Sequence, residues 1–262
     1  MPNNQISFDD GAAYEQYMGL WSQLAGDGFL DWLAPPAGLR WLDVGCGNGA
    51  FTELLVEKCA PAMVCGIDPS EAQLAYARAR SASHSVRYEK GDAMALPFAD
   101  NAFDAAVMPL VIFFVPEPAK GVAEMARVVC LGGIVAAYAW DFLGGGFPYE
   151  VLQAEIRESG FAVPVPPSPE ASRLEVMHEL WHAAGLEAVE TREITVQRTF
   201  ADFDAYWNIV LGGPSVRSSL AAMAAEDVER LKARMRERLK AGADGRIHYG
   251  ARANAVKGRV PA

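Results

Sequence analysis

Residues 41–51 read WLDVGCGNGAF. A short apolar run meets an acid, Asp43, and three glycines then fall within five positions, at Gly45, Gly47 and Gly49. Glycines in such a turn open backbone conformations that a Cβ forbids and let a ligand approach the main chain closely. A dinucleotide site uses the spacing G-x-G-x-x-G, which brings a pyrophosphate to a helix N-terminus. Here the third glycine arrives one residue early and is followed by Ala50. The next strand pattern ends in a second acid, Asp68, 23 residues after Gly45. A carboxylate there can accept hydrogen bonds from both hydroxyls of a ribose. These residues point to a nucleoside ligand held close to the backbone, with no special provision for a phosphate.

Positioning such residues requires a sheet. LRWLDV (39–44), AMVCGI (62–67), SVRYE (85–89), FDAAVM (103–108) and GGIVAAYAW (132–140) read as short strands rich in apolar residues and bounded by turn residues. Helix patterns lie between them: GAFTELLVEKC, SEAQLAYARARS and AKGVAEMARVV. The second opens with Ser70 and Gln73 in the S-x-x-Q spacing of a capping box. Strands alternating with helices of this length predict an α/β fold with a doubly wound parallel sheet and helices on both faces. The flanks differ. Tyr14, Tyr17, Trp21 and Leu24 recur at helical spacing, helices are expected near 149–159, 172–185 and within 202–241, and two late strands are expected in LEAVETREITVQRTF and GRIHYGARANAVKG.

Composition limits the function. The 262 residues are 51% hydrophobic and 21% charged, as in an ordinary globular chain. The N-terminus has no basic start and no apolar core of a secretory signal, and the longest apolar runs are too short to span a membrane. A soluble, cytoplasmic protein is therefore expected. Cys46, Cys59, Cys65 and Cys130 lack C-x-x-C spacing and sit in apolar segments, which predicts reduced thiols and no metal site. The net charge of −10 opposes a nucleic-acid partner, since duplex binding rests on neutralising phosphates. From Arg217 onward the balance reverses, with 11 Lys/Arg against 5 Asp/Glu. There Val228, Leu231, Met235 and Leu239 share one helical face, so a helix with a solvated basic outer side is expected.

Taken in order, LDVGCGNGAF, GIDPS, GDAMALPFADNAFDAAVM and EMARVVCLGGIVAAYAW resemble the successive motifs of class I S-adenosylmethionine-dependent methyltransferases. The similarity is strongest to the small-molecule branch that contains the ubiquinone and menaquinone biosynthesis methyltransferases, and it covers residues 10–140 in motif detail. It implies a Rossmann-like, seven-stranded, mostly parallel sheet with a small helical cap, S-adenosyl-L-methionine as cofactor and a small-molecule acceptor. The expected layout is one domain over 1–262. Its core is 35–141 and 172–200 with 244–258, and its cap is 8–34, 142–171 and 201–243. In this resemblance Gly45, Cys46, Gly47 and Gly49 pass beneath the methionine part and ribose, and Asp43 orients that loop. Asp68 binds the ribose hydroxyls, with Pro69 and Ser70 beside the adenine. Asp92 accepts from the adenine amino group, and Ala93 offers its backbone N–H to the ring. Pro109 and Leu110 line the pocket near the sulfonium. Residues 14–21, YEQYMGLW, resemble a helix lying over the cofactor. Many relatives have Arg where this chain has Leu20, and Tyr17 or a backbone group is the expected substitute.

The resemblance supplies no catalytic base. Where relatives often have His after the fourth strand, this chain reads PLVIFFVPEP. His178 and His182 are spaced i, i+4 but have no third ligand in view. Trp140, Phe142, Phe147, Tyr149 and Trp207 give the cap an apolar character suited to an aromatic acceptor, and Gly144–Gly146 suggest a mobile rim. Two alternatives remain: a non-catalytic S-adenosylmethionine binder, and a nicotinamide oxidoreductase, which the glycine spacing disfavours. The acceptor, the atom methylated and the oligomeric state are not legible in the sequence.

Overall fold

The computed structural model describes residues 15–80 and 85–262, so Tyr14 and His84 lie outside the described residues. A π-helical turn, Glu15–Gly19, runs into α1 (Leu20–Leu33). The elements that follow are β1 (Arg40–Val44), α2 (Ala50–Cys59), β2 (Met63–Asp68), α3 (Glu71–Arg80), β3 (Val86–Lys90) and β4 (Phe103–Pro109). Next come α4 (Pro118–Val128), β5 (Val129–Trp140), α5 (Glu150–Glu158), α6 (Leu174–Ala183) and β6 (Glu187–Phe200). The chain ends with α7 (Phe203–Val210), α8 (Pro214–Ala221), α9 (Ala225–Arg238) and β7 (Ile247–Arg259). Short 3₁₀ turns occupy Ile112–Phe114 and Pro169–Ser172.

The seven strands form one sheet in the order β3-β2-β1-β4-β5-β7-β6. Strands β1 to β5 pair in parallel, and β7 runs antiparallel to both β5 and β6. The central strands are covered on both faces, and this is why LDV and FDAAVM read as near-continuous apolar runs. One face carries α1 and α2, with Trp41, Val64, Val107 and Tyr138 in its core. The other carries α4 and α6, with Leu42, Cys65, Ala106 and Met108. The antiparallel pair is longer than the rest. Ala253 of β7 sits opposite Trp140 at the end of β5, while β6 and β7 remain paired out to Phe200 and Ile247. They form a two-stranded ribbon standing above the carboxyl edge of the sheet.

Helix α1 approaches the body closely because Gly26 allows it. A Cβ there would lie 2.8 Å from Leu54 Cδ2 and 3.2 Å from the Tyr138 hydroxyl oxygen. Helix α9 buries Leu231 and Met235, and its basic side turns Arg234 and Arg238 onto Glu155, which is almost fully buried. The capping box is weak: Gln73 N lies 3.4 Å from Ser70 Oγ, at the outer limit for such a bond. All four cysteines are free thiols, and Cys46, Cys59 and Cys65 are buried. No helix among the described residues is long and apolar enough to cross a membrane.

Trp181 of α6 fastens the second face: it is fully buried and donates from Nε1 to the Val135 carbonyl at 2.8 Å. Trp181→Ala removes that packing and the bond. Denaturant titration is expected to show a loss of about 3–5 kcal/mol, and a loss below 1 kcal/mol would contradict this packing role.

Candidate active site

Strand order reverses between β1 and β4, so the chain leaves a crevice above their carboxyl ends, where open α/β sheets place ligands. The turn 45–49 lines it. Gly45 N and Cys46 N both donate to the Ile67 carbonyl, at 2.8 and 3.0 Å, which ties the turn across to β2. The three glycines have different reasons to be glycine. Gly45 has φ +77°, and a Cβ on it would meet Val111 Cγ2 at 2.5 Å. Gly49 has φ +82° and lies against the Tyr88 hydroxyl, 2.6 Å from the position its Cβ would take. Gly47 has φ +52° and nothing within 4 Å of that position. Two glycines are therefore boxed in by side chains, and the middle one faces open space.

Asp68 at the end of β2 joins this turn to the next. Its Oδ2 accepts from Gly47 N at 3.0 Å and its Oδ1 from Ser70 N at 2.8 Å. Burial raises its pKa, and the two amides pull the other way. Asp43 is placed differently from Asp68. It is fully buried, with Oδ2 accepting from Thr52 Oγ1 at 2.6 Å and Oδ1 lacking a partner. Burial lifts its pKa to about 7, with the nearby Asp68 charge adding to the rise and Thr52 opposing it. Cys46 is a buried thiol whose pKa burial pushes far up, which leaves it inert as a nucleophile.

The remaining sequence-predicted residues fall around the same edge. Pro69 is exposed beside Asp68. Asp92 is exposed, and its Oδ1 accepts from Met94 N at 2.8 Å in a local turn that contains Ala93. Pro109 ends β4, and Leu110 follows with φ +59°, held there by its N–H on the Tyr138 carbonyl at 2.7 Å. A non-glycine residue in the left-handed region is a strained feature of the kind found at functional sites. Here it turns Val111 onto Gly45. Tyr17 is buried, stacked on Tyr149 with ring centroids 4.2 Å apart, and the Tyr149 hydroxyl donates to the Tyr17 carbonyl at 2.6 Å.

The cap differs from expectation at its rim. Asp141 accepts from Gly144 N at 2.9 Å and from Arg252 Nε at 3.0 Å, while Arg252 also donates to the Gly144 carbonyl. The glycines at 144–146 are thus tied to a partly buried ion pair, where composition alone suggested a mobile rim. Phe113 meets Phe142 edge to face and Phe142 stacks on Phe147, each pair with ring centroids 4.7 Å apart. His178 and His182 face each other on the exposed side of α6, and His248 faces Asp244 and Thr199. No group of three metal-ligating side chains occurs among the described residues. Sequence reasoning missed Val111, Tyr88 and the Asp141–Arg252 pair. Only their placement in the fold gives them a role.

The fold and the glycine turn resemble those of class I S-adenosylmethionine-dependent methyltransferases. Residues 42–137 match the family described as a methyltransferase domain. The chain is 34% identical over 136 residues to a 2-phytyl-1,4-naphtoquinone methyltransferase of Thermosynechococcus vestitus, which covers 51% of this chain and 56% of that protein. It is 36% identical over 111 residues to the ubiquinone/menaquinone biosynthesis C-methyltransferase of Dinoroseobacter shibae, covering 41% of this chain and 44% of that one. The chain thus spans about half the length of these curated relatives. Among solved structures, phosphoethanolamine N-methyltransferase 2 of Haemonchus contortus, in complex with S-adenosylhomocysteine, superposes with a TM-score of 0.61. It does so at 21% identity, over 98% of this chain and 59% of that one.

A carboxyl whose pKa rises on folding adds stability below its unfolded value and loses that contribution as pH climbs through its folded value. For Asp43 the window runs from about 4 to about 7. Asp43→Asn is therefore expected to flatten the stability profile across that window and to exceed the wild type at pH 7 by roughly 2–4 kcal/mol. Parallel profiles for the two proteins in denaturant melts would show that Asp43 does not titrate there.

Proposed function

We propose that this chain is an S-adenosyl-L-methionine-dependent methyltransferase acting on a small apolar or aromatic acceptor. The observation that carries the reading is the Asp68 carboxylate, fixed by Gly47 N–H and Ser70 N–H beside a glycine whose Cβ direction is open. Each oxygen has spent one acceptor position on an amide and keeps another for a ribose hydroxyl. The open side of Gly47 admits close approach of a nucleoside to the backbone, while Val111 and Tyr88 hold the turn's two ends.

The residues present fit that cofactor. Gly45, Cys46, Gly47 and Gly49 would run beneath its methionine part and ribose, above the buried carboxyl of Asp43. Pro69 and Ser70 would flank the adenine. Asp92 would take the adenine amino group, with the Ala93 N–H beside the ring. Pro109 and Leu110 would border the sulfonium, and Tyr17 would close over the amino-acid end.

When bound, the cofactor supplies a methyl group activated by a sulfonium leaving group. The chain's contribution is alignment and exclusion of water, which together can lower a barrier by ~7–11 kcal/mol. Val111 and the strained Leu110 fix the floor of the crevice. The rings of Phe113, Phe142 and Phe147 offer an apolar wall against which a flat acceptor can lie. A ring carbon beside a hydroxyl is nucleophilic without a strong protein base, consistent with the lack of a histidine after β4. The names of the sequence relatives, which are quinone methyltransferases, favour an acceptor of the hydroquinone kind.

The test is conversion of S-adenosylmethionine to S-adenosylhomocysteine that depends on a naphthohydroquinone acceptor. Asp68→Ala removes charge-assisted bonds and is expected to weaken S-adenosylhomocysteine binding by about 10- to 100-fold in calorimetry. Unchanged affinity would remove the ribose assignment.

A further inference from the structure

Strand β6 alternates between two faces, and Ile194, Val196 and Phe200 are buried on the inner one. Arg198 stands in the same register, opposite Tyr249 of β7, between the buried Val196 and Phe200. Its Cζ lies 4.7 Å from the centre of the Phe200 ring. The side chain is half-buried, its Nη1 is enclosed, and no hydrogen-bond acceptor reaches that atom. The buried charges nearby are matched: Glu155 meets Arg234 and Arg238, and Asp141 meets Arg252. An enclosed guanidinium N–H without an acceptor costs free energy and favours pairing with an anionic oxygen.

A second unpartnered donor belongs to the same cluster. Tyr206 of α7 is fully buried, and its hydroxyl has no hydrogen-bond partner. Its ring meets the same Phe200 edge to face at 5.2 Å, and lies 6.4 Å from Tyr149 and 6.1 Å from Tyr249. The guanidinium of Arg198 interacts with the side chain of Tyr149, and Tyr149 is shared with other partners. Its hydroxyl already donates to the Tyr17 carbonyl and accepts from Trp21 Nε1 at 3.1 Å. Arg198 Nη1–H and the Tyr206 O–H, neither with a hydrogen-bond acceptor and both side chains against Phe200, match a negatively charged oxygen.

We infer that Arg198 and Tyr206 form an oxyanion-binding subsite beneath the β6–β7 ribbon. It receives a charged oxygen of a bound small molecule. Two sources share this chemistry: the carboxylate of the cofactor's amino-acid end, and an ionised ring hydroxyl of an aromatic acceptor. The first would fill the role that the resemblance gives to an arginine where this chain has Leu20. The second would place positive charge beside the oxygen that makes a ring carbon nucleophilic. The inference rests on the proposed function for the identity of these ligands, and on Arg198 and Tyr206 alone for the subsite.

Calorimetry distinguishes the sources, using wild type, Arg198→Met, Arg198→Lys and Tyr206→Phe. The probes are S-adenosylhomocysteine, methylthioadenosine (which lacks the carboxylate), 4-nitrophenolate and its neutral methyl ether. A loss of about 10- to 100-fold for S-adenosylhomocysteine in Arg198→Met, with methylthioadenosine unchanged, supports the cofactor carboxylate. The same loss for 4-nitrophenolate, with the ether and S-adenosylhomocysteine unchanged, supports the acceptor oxygen. In either case Arg198→Lys retains part of the affinity, Tyr206→Phe loses several-fold, and the free Arg198→Met protein melts no lower than wild type. Equal affinities across wild type, Arg198→Met and Tyr206→Phe overturn the subsite. So does an Arg198→Met protein that melts lower while binding all its probes normally, which would make the arginine structural. Failure of the wild type to bind either nucleoside removes the proposed function instead, and the nitrophenolate arm still reads Arg198 by itself.

Discussion

The Asp68 carboxylate accepts one backbone N–H from the glycine turn and another from the turn after β2, and the geometry of the crevice follows from that pair of bonds. They hold the two loops at the switch point in fixed register before any ligand arrives, so a nucleoside would meet a preorganised carboxylate. The cost is burial of a charge, offset by the two amides. The glycines around it are spacing devices as much as flexible joints. Gly66 lies beneath Tyr88 and Cys46, and a Cβ there would come within 2.9 Å of both side chains. Replacing one of these residues therefore moves the turn.

The upper half of the molecule obeys a different constraint. The β6–β7 ribbon outgrows the sheet, and its inner face needs a cover. Trp21 of α1, Tyr149 at the start of α5 and Tyr206 of α7 supply it, meeting Tyr249 or one another at ring distances of 6.1 to 6.5 Å. Aromatic residues suit this position because they combine a large apolar body with a polar tip. The tips make the cluster directional: one bond runs from Trp21 to Tyr149 and the next from Tyr149 to the main chain of Tyr17. The N-terminal segment is thus fastened to Tyr149 by hydrogen bonds between residues distant in sequence.

Much of this architecture can be read from residues 39–140 alone. Alternating apolar runs and amphipathic segments place β1 to β5 and α2 to α4 within a residue or two, because a doubly wound sheet constrains period, length and turn chemistry together. The main discrepancy is β5, which starts at Val129 and passes through an irregularity before its regular stretch. G-x-G-x-G and Asp68 are equally legible, since their spacing reflects one local turn. What stays hidden depends on contacts between distant residues. Val111 reads as an ordinary apolar residue until the left-handed Leu110 turns it onto Gly45. The carboxyl of Asp43 lies in the core and accepts from Thr52, a contact that the spacing of the glycines does not reveal. Arg198 is hidden for the opposite reason: in TREITVQRTF the alternation is visible, and a charged residue at an inward position looks like a break in the pattern until the cap is seen to enclose it.

The turn above β1 is proposed to hold a sulfur-bearing nucleoside and no dinucleotide. Titration calorimetry of the unmodified protein with S-adenosylhomocysteine and, separately, with NADH tests it most directly. A single-site isotherm with S-adenosylhomocysteine and no heat of binding with NADH is the expected result. Saturable binding of NADH alone would contradict it, since the open backbone at Gly47 would then be serving a pyrophosphate.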